Sequence, residues 1–299
     1  MILINVFFVF NFPKNNFSGG EIQDPNRDLY SQTAYVFPIS EPSYWPILNT
    51  SVEPPILSAK SAVAYDTRSA RFLFSKNSGA RLPIASLTKL LNAVVVAENF
   101  SLDEVTQITK ESIKVDGEKQ TLYLDENISI GNLMKIMLIE SSNDAAYALK
   151  YYAEKSGTNL AILMNKKAVE LGMGQSIFKD PAGLNDDALS SAEDLVKLIR
   201  YSLKFDDLWR TMAEKNSIVN SVDGKISHQI KSTNQLLGVI PDIIGGKTGY
   251  TDEALGCLIL VVDVPGKNDK LIVVVLGSLE RFTDTEKLVD WIKRAYSWE

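Results

Sequence analysis

Apolar positions along the chain fall into two periodicities, and the alternation between them organises the molecule. SAVAYDTRSARFLFSKN at 61–77 is two extended runs flanking the turn DTRSA, which predicts a β-hairpin. From Pro83 to Phe100 the pattern turns helical, and Pro83 suits a first helical turn, where its missing N–H costs nothing. Apolar residues at spacings of three and four recur over 129–139, 143–155, 158–171 and 190–204, predicting further helices. β-branched runs then return: LGCLILVVDVP and KLIVVVLGS, joined by GKNDK, predict a second hairpin. DTEKLVDWIKRAYSW reads as an amphipathic helix opened by an aspartate cap. Strands at both ends with helices between them imply one sheet assembled from the two ends of the chain. That is a mixed α/β (α+β) domain over 57–299, with a helical part at about 90–205 and no internal repeat.

The N-terminal region follows neither period. MILINVFFVFNF at 1–12 is apolar without a basic residue. It lacks the charged start of a signal peptide and the roughly twenty apolar residues of a membrane span, and reads as a degenerate or truncated export signal or anchor. Residues 13–56, rich in Asn, Pro, Ser and Gly, read as a linker.

Composition narrows the chemistry. At 299 residues, 45% of them hydrophobic, the chain has material for a large core. A net charge of −6 without a long basic run argues against nucleic-acid binding. One cysteine, Cys257, and one histidine, His228, cannot build a C-x-x-C pair, an H-E-x-x-H helix or a Cys/His zinc cage, so no metal or cofactor is implied. Cys257, within LGCLILVV, reads as a buried structural thiol, and His228, within GKISHQIKS, as a surface or strand residue. A Ser-His-Asp triad would need His228, so a nucleophile here is expected to use lysine or a carboxylate as its base.

One helix opens with such a pair, Ser86 and Lys89 in PIASLTKLLNAVVV. Residues i and i+3 share a helix face. A serine hydroxyl becomes a nucleophile when a neighbour takes its proton, and a lysine does so only when burial or nearby positive charge keeps it neutral. S-x-x-K alone is weak, being expected about once by chance at this length, and Ser176 and Lys179 form a second copy. Two further motifs follow in order: Ser141-Ser142-Asn143 and Lys247-Thr248-Gly249. Each has a plainer reading, since Ser141 and Asn143 could cap the following helix and GGKT matches the end of a phosphate-binding P-loop. However, Pro241 falls where that loop needs its first glycine. The ordered set S-x-x-K, S-x-N, K-T-G is the signature of penicillin-binding proteins and class A β-lactamases.

With SSNDAAYAL, FKDPAGL, STNQLLGV, GGKTGYTDEALGCLILVV and VVVLGSLERF, the chain over about 57–297 resembles the serine-type D-alanyl-D-alanine carboxypeptidases, the low-molecular-weight penicillin-binding proteins. The resemblance implies a β-lactamase/DD-peptidase-like fold, with an antiparallel sheet built from both chain ends, flanking helices and a helical insert. It implies that Ser86 attacks the carbonyl between the last two D-alanines of a peptidoglycan stem peptide, that Lys89 takes the serine proton, and that Ser141 relays a proton to the leaving amine. Asn143 would hold the substrate backbone, Lys247 and Thr248 would meet the terminal carboxylate, and Gly249 would let a substrate strand approach closely. Backbone N–H groups of Ser86 and Tyr250 would form the oxyanion hole, and Arg281 is a further candidate for the carboxylate. β-Lactams would act as inhibitors and the location would be extracytoplasmic. Many family members carry a C-terminal β-rich domain and anchor for which no residues remain after the last helix, so membrane association is expected through the N-terminus. The alternatives are a DD-endopeptidase, a class A-like β-lactamase or a catalytically silent wall-binding module. Against the lactamase, Pro181 stands where E-x-x-L-N needs glutamate. The sequence also departs from the family's usual Pro-His-Gly-Leu, with Ala182 replacing histidine, and Ser142 stands where glycine or aspartate is commoner.

Overall fold

The computed structural model describes residues 45–115, 121–264 and 269–298. The apolar segment 1–12, residues 13–44 of the linker and most of the GKNDK turn lie outside the described residues.

Strands β1 (Ser61–Asp66) and β2 (Arg71–Lys76) are the first expected hairpin. Strands β3 (Ile243–Thr251), β4 (Leu255–Val264) and β5 (Asp269–Ser278) follow near the end of the chain. The five form one sheet in the order β3-β4-β5-β1-β2, antiparallel at every pairing. Val274 opposite Val63 joins the two chain ends. The apolar runs are near-continuous because both faces of the sheet are covered and successive side chains point to opposite faces. Val63, Ile259, Val261, Ile272 and Val274 enter the core shared with the central helices. Ala62, Ala64, Leu258, Leu260, Val273 and Val275 enter a second core beneath the C-terminal helix.

The helical layer comprises α1 (Thr88–Asn99), α2 (Ile130–Ile139), α3 (Asn143–Lys155), α4 (Leu160–Glu170), α5 (Ala192–Ser202) and α6 (Asp206–Ala213), and α7 (Arg281–Ala295) closes the other face. Helix α1 is buried over its first nine residues. A helix that is apolar on every side belongs inside a core. Helices α2 to α5 start at Ser129, Ser142, Asn159 and Ser191. Each of these side chains accepts from the backbone N–H three residues on, satisfying one of the otherwise orphaned donors.

Several local expectations are corrected. Pro83 is in no helix: Leu82–Pro83 is a short strand paired with Leu189–Ser190. Helix α7 starts at Arg281 with no side-chain cap. Asp284 lies inside its first turn and accepts instead from Ser58 N and Oγ, Ala59 N and Ser278 Oγ, at 3.1, 2.7, 2.9 and 2.6 Å. Within the linker, Ile47–Leu48 pairs with Tyr296–Ser297, and the Arg71 guanidinium stacks 3.5 Å from the Trp45 ring centroid. His228 is on a strand but not at the surface. It sits in the ribbon Asn216–Asn220/Ser227–Lys231, with Nε2 2.6 Å from Glu126 Oε1. That carboxylate raises the histidine pKa against the opposing effect of burial. Cys257 is fully buried, and burial pushes its thiol up to about 11.

Candidate active site

Helix α1 does not begin at Ser86. A 3₁₀ turn, Ala85–Leu87, precedes it, and Ala85 holds a left-handed φ of 45°. That strained residue turns Ser86 out at the head of the buried helix. Strain of this kind persists only where the surroundings fix it, and two glycines do so. Gly183 (φ 77°) lies so close that a Cβ there would stand 1.9 Å from Ala85 O. Gly249 of β3 lies against the other side, where a Cβ would meet Ile84 O at 2.9 Å and Ser86 N at 3.1 Å. The glycine of K-T-G therefore makes room for the turn that carries Ser86, rather than only for an incoming strand.

Lys89, one turn into the fold behind Ser86, is fully buried. Its Nζ donates to Ser86 Oγ at 2.7 Å, Asn143 Oδ1 at 2.8 Å and Ala182 O at 3.0 Å. Asn143 is the first residue of α3. The residue that caps this helix is Ser142, so neither Ser141 nor Asn143 is spent on capping. Ser141 takes a left-handed φ of 66°, and its Oγ accepts from Lys247 Nζ at 2.7 Å. Lys247, also buried, donates to Thr248 O at 2.8 Å. Thr248 Oγ1 lies 2.6 Å from Thr233 Oγ1. The three motifs, spread over more than 150 residues of sequence, thus meet in one cluster of two serines, two lysines and an asparagine.

A family model described as D-alanyl-D-alanine carboxypeptidase matches residues 48–280. The chain belongs to that family. It is 29% identical over 248 residues to D-alanyl-D-alanine carboxypeptidase DacF of Bacillus subtilis, covering 80% of this chain and 63% of that protein. It is 36% identical over 231 residues to a D-alanyl-D-alanine endopeptidase of Haemophilus influenzae, covering 76% and 78%. Among solved structures, a Listeria monocytogenes penicillin-binding protein in its cefotaxime-bound form superposes with a TM-score of 0.69 at 30% identity, over 81% of this chain and all of that one.

Within this family fold, the remaining candidates separate. Arg281, at the start of α7, is half-buried, with Nη1 3.5 Å from Gly249 O, and burial draws its guanidinium below its usual pKa. Tyr250 follows Gly249 on β3 with its side chain 58% exposed, and the Arg281 guanidinium lies 5.9 Å from its ring centroid. Ser176 and Lys179 share no helix. Ser176 bonds Ser190 and Asp194 at 2.7 and 2.9 Å, and Lys179 is exposed. GGKTG lies on a strand followed by a turn and another strand, which removes the P-loop reading. Among the described residues no cluster of three or more His, Cys, Asp or Glu could hold a metal ion.

The sequence reading missed what holds Lys89 from behind. Asp180, in FKDPAGL, accepts backbone N–H bonds from Ala182 (2.7 Å), Gly183 (2.6 Å), Leu184 (3.2 Å) and Asn185 (2.8 Å). This winds the loop around one carboxylate and aims the Ala182 carbonyl at Lys89. Asn92 of α1 adds a bond to Pro181 O at 2.9 Å. An aspartate before proline is a turn signal, but nothing in it says which lysine the turn serves. Asp144, likewise unpredicted, accepts from Thr121 N and Leu122 N at 2.6 and 2.8 Å and from Ser142 Oγ, tying the start of α3 to the segment that leads to Glu126.

Proposed function

We propose that this chain is a serine D-alanyl-D-alanine carboxypeptidase acting on peptidoglycan stem peptides, with Ser86 as nucleophile. The observation that carries the reading is the set of partners around Lys89. Nζ donates to two oxygens that can only accept, on Asn143 and Ala182. The third oxygen around Nζ, Ser86 Oγ at 2.7 Å, is the one that carries a proton for the amine to take.

Ser86 Oγ bonds to the carbonyl carbon between the two D-alanines and its proton passes to Lys89. The developing oxyanion is met by the Ser86 and Tyr250 N–H groups. The C–N bond breaks as the leaving nitrogen takes a proton through Ser141, whose hydroxyl Lys247 orients. Water then cleaves the acyl-enzyme. Asn143 holds the peptide backbone, while Lys247, Thr248 and Arg281 bind the terminal carboxylate, which draws them to the same end of the substrate. A β-lactam would acylate the same oxygen. The Asp180 carboxylate is turned into its own loop by four N–H bonds, which speaks against a deacylating carboxylate there and for a long-lived penicillin adduct. Such a substrate places the protein outside the cytoplasm. None of the described helices is long and apolar enough to cross a membrane, and tethering through the apolar residues 1–12 belongs to this reading.

The test is intact-protein mass after incubation with benzylpenicillin. Wild type is expected to gain the mass of the drug and hold it, and Ser86→Ala to gain nothing. An unmodified, folded wild type would refute the nucleophile.

A further inference from the structure

Glu126 and His228 have no part in the chemistry above, yet they lie beside the turn that carries Ser141. His228 Nε2 is 2.6 Å from Glu126 Oε1, and both side chains are almost wholly buried. Replacing a buried ion pair by apolar residues is often neutral or stabilising, so stability alone does not account for it. What the pair grips is a strap, residues 121–126. Tyr123 and Leu124 within it are exposed, so polar bonds hold much of the strap in place. Its end away from the site is fixed by the main chain: Asp125 N donates to Ile108 O at 3.0 Å and Ile108 N to Glu126 O at 2.8 Å. Its other end bears on the site. Thr121 Oγ1 donates to Glu140 Oε2 at 2.9 Å, and Thr121 N and Leu122 N both donate to Asp144. Glu140 and Asp144 bracket Ser141, Ser142 and Asn143.

The histidine ring joins the two ends of the strap. Nε2 faces the Glu126 carboxylate, and the ring also hydrogen-bonds the Thr121 main chain in the sense that favours its proton. The Thr121 N–H is already given to Asp144, so the Thr121 carbonyl makes that bond. Two acceptors thus meet the two ring nitrogens, and only the imidazolium has a donor for each. The groups that bear on its charge are the Glu126 carboxylate, the Thr121 carbonyl and the Asp144 carboxylate of α3, all favouring it against burial, and the Tyr123 ring lies 5.8 Å from it. In the neutral ring one lone pair must face an oxygen. The bond to the carboxylate is the stronger, so the bond to Thr121 is the one given up. We propose that Glu126 and His228 are positioning residues for Ser141: protonated His228 clamps residues 121–126 onto Glu140 and Asp144, the clamp holds the left-handed turn that sets the Ser141 hydroxyl against Lys247, and loss of the ring proton loosens it. The proposal rests on the role given to Ser141 in acylation of Ser86.

The chain has a single histidine, so the ring protons of His228 can be titrated by NMR in the unaltered protein. The test sets that titration beside the rate of acylation by a fluorescent penicillin, from about pH 5.5 to pH 9. The histidine midpoint is expected above its ordinary 6.5, with acylation falling about tenfold through the same midpoint as pH rises. His228→Gln, neutral at every pH and able to donate to Glu126 alone, should acylate as slowly as wild type at high pH and show no such fall. Glu126→Gln should lower the histidine midpoint and slow acylation as well. Ser141→Ala shows whether the effect passes through Ser141: adding His228→Gln to it should change its residual rate less than about twofold. A histidine midpoint at or below 6.5, a fall in rate that His228→Gln retains, or equal slowing by His228→Gln with and without the Ser141 hydroxyl would overturn the clamp. A thermal melt of each variant separates lost fold from misplaced Ser141, and the wild-type comparison stands whether or not a variant folds. Wild type that is never acylated would refute Ser86 as nucleophile, while the histidine titration would still report on the ion pair.

Discussion

The Asp180 cradle gives the sharpest expectation, because it reaches the chemistry only through another residue. Replacing Asp180 with alanine removes the shared acceptor of four backbone N–H groups. Two of these, on Ala182 and Gly183, belong to fully buried residues. Each buried donor left without a partner costs about 1–3 kcal/mol, so Asp180→Ala should lose about 2–5 kcal/mol of stability. Asp180→Asn keeps the oxygen that serves three of the bonds but turns an amide donor toward Asn185 N–H, and should lose about 1–2 kcal/mol. As the loop relaxes, the Ala182 carbonyl moves away from Lys89, now 3.0 Å distant. Misplacing a catalytic group by about an ångström costs on the order of a hundredfold in rate. The measurement is the acylation rate with a fluorescent penicillin, beside a thermal melt of each variant. The expected order is wild type, Asp180→Asn, Asp180→Ala in both. A folded Asp180→Ala that is acylated within about threefold of wild type would refute the argument, because stability and Lys89 placement would then be separable.

Two further expectations follow from the same geometry. Gly249→Ala places a methyl group 2.9 Å from Ile84 O and 3.1 Å from Ser86 N; it should cut acylation at least tenfold while the two cores survive, and penicillin labelling beside near-UV circular dichroism reads both. The third concerns Asp269, which burial and the neighbouring Asp66 raise to about 6. A raised acid contributes its stability below the ordinary value near 4, and loses it as pH rises through 6. Asp269→Asn, permanently neutral and able to donate to Asp66, should therefore match wild type at pH 4 and exceed it at pH 8 by on the order of 2 kcal/mol. Equal melting shifts at both pH values would show that the pair does not share a proton.

Most of the architecture was legible because it is written in period. The helix 143–155 was read to the residue, and 129–139, 158–171 and 190–204 differ from α2, α4 and α5 only at their ends. Strand β3 was not legible, since three of its nine residues are glycine and leave no alternation to read. Helix α6 was missed because its buried face is only Leu208, Trp209 and Met212. At the site, order of motifs carried the reading where spacing could not: Ser176 and Lys179 have the same spacing as Ser86 and Lys89 but lie apart. What remained hidden was every contact made by backbone, including the Ala182 carbonyl and the loop wound on Asp180. Sequence prints side chains, and those partners come from main-chain atoms that any residue could supply.

The two left-handed alanine and serine positions, Ala85 and Ser141, explain why this cluster survives as a cluster. Neither is glycine, so each holds a conformation that costs of order 1–3 kcal/mol. Each sits immediately before or at one of the two hydroxyl-bearing residues, and each hydroxyl is gripped by a different buried lysine. A relaxed backbone at Ala85 would withdraw Ser86 from Lys89, and at Ser141 would withdraw the hydroxyl from Lys247. The strain is opposed from outside by Gly183 and Gly249 on one side and by the Ser142 cap with Asp144 on the other. Two buried amines 158 residues apart in sequence are thereby each held against a serine hydroxyl. The arrangement that sets Ser86 at the head of the buried helix is also the one that holds it against Lys89.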